Sequence, residues 1–119
     1  MRAGQIITAV QAVLKQELTS VQALSNILAC EARLCTMAQQ KGPKAMRADT
    51  LLLLPAGWQH VYIYYIAAIL ALEEQKFERY QVLMQLFSSA AEEYFTLYGN
   101  RSGAKKISLA PRYRNLQSL

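Results

Sequence analysis

The chain has 119 residues, 53% of them hydrophobic and 18% charged, and a formal net charge of +5. That length supports one domain with one modest core. The apolar surplus exceeds what a small monomer covers, which favours an oligomer or a permanent partner. One His, one Asp, no Gly-rich phosphate loop and no nucleophile–base signature argue against an enzyme, with no catalytic, cofactor or metal residues expected. Cys30 and Cys35 fit neither CxxC nor a zinc spacing and are expected as small buried apolar groups in a reducing compartment.

In chain order, an all-α bundle of about four helices with an extended basic C-terminal tail is expected. Helix A covers about Gln5 to Leu18, with Ile6, Val10, Val13 and Leu14 on one face. Thr19 suits the N-cap of helix B, with Gln22 at the capping-box position. Helix B runs to about Gln39 and stops at Gly42-Pro43. Glu31 falls in the middle of its apolar stripe of Leu24, Ile27, Leu28, Leu34, Cys35 and Ala38. A carboxylate there needs a partner or costs several kcal/mol in desolvation. Arg47, Arg79 and the tyrosine hydroxyls are the candidates within the chain, and another subunit is the alternative. Glu31 is therefore the buried-polar or interface candidate.

Residues 51–72 contain no Asp, Glu, Lys or Arg. They are read as a core segment, because Pro55, Gly57, Gln59 and His60 interrupt the run short of the roughly 20 apolar residues a span needs. No signal peptide is visible in the N-terminal residues. Lys44 to Leu54 is expected to be irregular or briefly helical. Pro55 opens helix C, which runs to about Glu74. It is apolar on nearly every side, as in a central helix, and Ala67, Ala68 and Ala71 would let a neighbour approach closely. Val61, Ile66, Ile69 and Leu70 are expected in the core, with Leu83 and Phe87 from the next helix. His60, beside Trp58, is read as a packed or boundary side chain.

A tight turn is placed near Gln75 to Phe77, with no Gly or Pro to mark it. Helix D then carries the stripe Tyr80, Leu83, Met84, Phe87, Ala91, Tyr94 and Tyr98, with Gly99 as its cap. The tyrosines suit core and boundary, or an interface, where Tyr is enriched.

Residues 1–98 hold eight basic and eight acidic residues, so the whole net charge lies in residues 99–119. The chain thus divides into a helical domain, 1–99, and a basic arm, 100–119. Arg101, Lys105, Lys106, Arg112 and Arg114 would supply long-range attraction, and Ile107, Leu109 and Tyr113 fixed contacts. The arm is read as a docking element for an acidic partner or nucleic acid, or else as a solubilising tail.

The layout of residues 51–101 resembles the head–tail connector (adaptor) proteins of tailed bacteriophages and prophages. An apolar segment leads into Leu54-Pro55-Ala56-Gly57-Trp58. An Ala-rich helix, Ile66 to Glu73, follows, then an amphipathic helix closing on Tyr94-Phe95-Thr96-Leu97-Tyr98-Gly99 and a polar basic tail. The resemblance is one of layout and covers under half of the chain. It implies a virion structural subunit that forms a homo-oligomeric ring, typically twelvefold, beneath the portal protein. Such a ring extends the DNA channel and docks the tail or a stopper protein. The C-terminal arm would contact the portal or, non-specifically, DNA. The protein would sit in the virion neck, and in the host cytoplasm before assembly, with no membrane. Two other functions fit the residues: a bacterial cytosolic helical adaptor or chaperone for a partner's amphipathic segment, and a small membrane-associated protein using residues 51–72.

Overall fold

The computed structural model describes residues 1–14 and 18–102. They form four α-helices: α1 (Ala3–Leu14), α2 (Ser20–Met37), α3 (Gln59–Glu73) and α4 (Phe77–Ser102), with a 3-10 turn, Ala56–Trp58, leading into α3. No strand occurs among the described residues; a single antiparallel bridge pairs Arg2 with Leu51. The all-helical fold expected from the sequence is present.

Helix α3 is the centre of the bundle, packed by α1, α2 and α4, while α4 packs on α3 and on little else. Val61, Tyr62, Tyr65, Ile66, Ala67, Ala68 and Ala71 of α3 are all buried. A helix with neighbours on several sides has no polar face to show, which is why its sequence lacks an apolar stripe. Ile69, Leu70 and Leu83 are half-buried instead of buried. Leu70 lines a groove of about 410 Å³ with Leu14, Glu74, Lys76 and Arg79, so it sits at a rim and not in the centre.

The helix boundaries differ from expectation for identifiable reasons. Helix α1 starts at Ala3, two residues early, because its first N–H groups find acceptors elsewhere in the chain. Ala3 N–H donates to Thr50 O (3.0 Å) and Gly4 N–H to Ala48 O (2.8 Å). These carbonyls do the work of a side-chain cap. A Cβ on Gly4 would meet Ala48 O at 3.1 Å, so Gly permits this close approach. Residue 18 lies outside the helix, which ends at Leu14, and Val13 is exposed instead of joining the apolar face.

The capping box at Thr19 and Gln22 forms as expected. Helix α2 ends at Met37, ahead of Gly42-Pro43. Gln39 turns left-handed (φ 59°), Gln40 N–H donates to Cys35 O and Gln39 N–H to Thr36 O. Those two bonds make a Schellman end with Gln in place of Gly. The same device closes α3: Gln75 has φ 61°, Lys76 N–H donates to Ala71 O and Gln75 N–H to Leu72 O. The tight turn near Gln75 is therefore present, built on a residue that costs about 1 kcal/mol in this conformation.

Residues 38–55 form an irregular strap that is part of the core, with Met46, Leu52 and Leu54 buried. Pro55 precedes the 3-10 turn and does not begin an α-helix. Helix α4 continues through Gly99 to Ser102, so Gly99 is not its cap and Arg101 belongs to the last turn. No helix among the described residues is long and apolar enough to cross a membrane.

Candidate functional site

Helix α2 delivers Glu31 to the junction of α2, α3 and the strap, where it is 3% exposed. The Tyr62 hydroxyl donates to Glu31 Oε1 at 2.7 Å. The Leu53 N–H donates to Oε2 at 2.6 Å. Tyr62 in turn accepts the Leu54 N–H at 3.3 Å. One carboxylate and one phenol thus anchor two consecutive strap amides to two helices. The partner is a tyrosine hydroxyl from the candidate set. Arg47 is engaged elsewhere, with its Nε 3.6 Å from Asp49, and Arg79 lines the groove beside Leu70.

Burial pushes the Glu31 carboxyl above the ordinary carboxylate value of 4.5, against the two hydrogen bonds, which favour the charged form. Burial, then the neighbouring Glu31 charge, raises the Tyr62 hydroxyl far above the usual phenol range, so it remains a donor. Cys30 and Cys35 are buried, free thiols, each raised first by burial and then by Glu31. Raised thiols are poor nucleophiles. They are small packing groups, as read from their spacing. Among the described residues no three His, Cys, Asp or Glu side chains come together as a metal set.

A second constellation lies where α3 begins and α4 nears its end. The Trp58 ring stacks on His60 (centroids 5.5 Å apart) and meets Tyr94 edge-on at 5.3 Å and Tyr98 at 6.2 Å. His60 meets Tyr64 edge-on at 5.9 Å. His60 is thus a packed boundary side chain. Burial, followed by the Tyr98 hydroxyl, raises Tyr94 above its ordinary value. Trp58, His60, Tyr64 and Tyr94 are half-buried and Tyr98 is exposed, so the cluster is a boundary with one wet side. The Tyr94–Tyr98 stripe and the Trp58–His60 neighbours are legible in the sequence, but their union is not. The i, i+4 spacing of the tyrosines was the available signal.

The arm residues fall otherwise. Arg101 lies in the last turn of α4; Lys105, Lys106, Ile107, Leu109, Arg112, Tyr113 and Arg114 lie outside the described residues. The outer side of α4 adds a feature not foreseen: Val82, Leu86 and Leu97 are 57%, 43% and 51% exposed. Their spacing places them together on one flank of the helix, turned away from Phe87 and Ala91, which are buried. The chain matches no protein-family model, no curated protein and no solved structure.

Proposed function

We propose that this chain is a non-enzymatic assembly subunit, a head–tail connector of a tailed bacteriophage or prophage that forms a ring beneath the portal, extends the DNA channel and docks the tail. The observation that carries the proposal is α4: a 26-residue helix with a second apolar stripe left open to solvent. Exposed apolar surface of this kind marks an interaction site. The meeting of Trp58 with Tyr94 and Tyr98 adds support, since it joins the two ends of the connector-like layout. The basic residues beyond Gly99 suit an arm that reaches the portal or DNA phosphates.

Native mass and co-sedimentation with a portal assembly, repeated across salt, test the proposal. A ring, with portal binding that weakens as salt rises, is the expected result. A monomer without portal affinity overturns it. A plain dimer that binds no portal points instead to a helical adaptor for a partner's amphipathic segment.

A further inference from the structure

The exposed charges of the body are segregated by element. Among the described residues before Leu51, Arg2, Arg33, Lys41, Lys44 and Arg47 are exposed against one exposed acid, Asp49. On α3, α4 and their connection, Glu73, Glu74, Glu78, Glu92 and Glu93 are exposed against Lys76 and Arg79. A body neutral in sum therefore carries a basic α2-and-strap side and an acidic α4 side.

Each side also carries apolar surface of matching form. On α4, Glu93 falls on the same side of the helix as Val82, Leu86 and Leu97, a ridge of about 22 Å from Val82 to Leu97. On the other side, α2 and α4 enclose a groove of about 380 Å³. It is lined by Ala32, Arg33, Thr36 and Met37 of α2 with Phe87 and Ser88 of α4. Met37 is 41% exposed beside it, and the exposed Lys41 precedes Gly42, which packs against Ala32 of the same lining. Ridge and groove lie on different sides of α4, since Phe87 faces inward while Val82 and Leu86 face out.

We propose that the occupant of this groove is a second copy of the chain: the outer ridge of α4 seats in the α2–α4 groove of the next molecule, with Glu93 against Arg33 and Lys41. Apolar anchors at helical spacing entering a groove are a recurring mode of helix recognition. The opposed charges set its register and exclude the like-on-like pairing of two acidic ridges. Because donor and acceptor are different surfaces, the contact is head-to-tail and propagates to a ring or filament, not to a two-fold dimer. The inference rests on the assembly proposal and assigns its subunit contact.

Charge reversal of the full-length chain tests it by sedimentation velocity and native mass. Glu93→Lys, or Arg33→Glu with Lys41→Glu, is expected to weaken self-association roughly tenfold or more, and the combined variant to recover it. All these positions are exposed, and thermal melts verify that each variant folds. If a variant does not fold, wild-type chains mixed from two isotope labels are joined by a zero-length carboxyl–amine cross-linker. A Glu93–Lys41 link between differently labelled chains is then expected. Association unchanged by either reversal, no recovery in the combined variant, a two-fold dimer, or no such link overturns the contact while leaving assembly standing. A wild type that is monomeric alone and with the portal overturns both.

Discussion

Helices α3 and α4 are consecutive, joined by three residues, and pack against each other, yet they play opposite parts. Neighbours cover α3 on several sides; among the described residues α4 packs closely on α3 and on little else. The apolar residues of α3 are explained by its own fold. Those on the outside of α4 are not, since Val82, Leu86 and Leu97 stay about half exposed among the described residues. The pattern on a helix thus records how many neighbours it has, including those supplied by other molecules.

The sharpest way to break that comparison is to place a charge on each helix. Ile66→Asp buries an unpaired carboxylate at the centre of α3 and is expected to cost more than 4 kcal/mol, enough to remove the cooperative melt. Leu86→Asp on the outside of α4 is expected to change monomer stability by less than about 0.5 kcal/mol. Leu70→Asp, at the groove rim beside Lys76 and Arg79, falls between them. Equal losses at Leu86 and Ile66, read from urea unfolding, would mean that α4 is as enclosed as α3.

The next largest effect probes what ties α3 to its other neighbours. Tyr62→Phe removes the donor to Glu31 and the acceptor of the Leu54 N–H, and is expected to cost about 3 kcal/mol. A change under about 0.5 kcal/mol would show that the strap is held by Leu52 and Leu54 alone.

Glu31 adds a pH dependence. Its folded carboxyl lies above the unfolded value, so the folded state holds the proton more tightly. The stability this contributes is fully present below the unfolded value of about 4.5 and is lost as pH rises through the raised folded value. Glu31→Gln is expected to flatten that slope. The amide also offers a single acceptor oxygen to two donors, Tyr62 and Leu53, and should cost about 1–2 kcal/mol at low pH. An unchanged slope of unfolding free energy between pH 4 and pH 7 would remove Glu31 as its source.

The smallest effects lie at the turns. Gln75→Gly and Gln39→Gly relieve a left-handed strain of about 1 kcal/mol, offset in part by added freedom in the unfolded chain. A net gain of about 0.5 kcal/mol each is expected in thermal melts. Gln75→Val should move the other way, because a β-branched side chain resists positive φ.

Much of this was legible in the residues. The Thr19–Gln22 capping box is a local exchange of hydrogen bonds, and it formed where its spacing placed it. The central role of α3 followed from apolar residues all around it. Glu31 stood out as a carboxylate inside a stripe, and the set of possible partners included the tyrosine hydroxyls. Local patterns set these features because their physics acts within a turn or two of helix.

Tertiary structure decided the rest. Which tyrosine meets Glu31 depends on how α2 and α3 cross, and no local spacing encodes that. Helix α1 begins early because distant carbonyls at Ala48 and Thr50 satisfy its amides. Both Schellman ends use Gln where the usual signal is Gly, so neither stop was marked in composition, and α2 ends before the Gly42-Pro43 breaker. The strap supplies core residues because Glu31 and Tyr62 hold its backbone against the bundle. The excess of basic residues before Leu51 and of acidic residues after it is already present along the chain. The groove is not: Arg33 of α2 comes to line it with Phe87 and Ser88 of α4 only once the two helices meet.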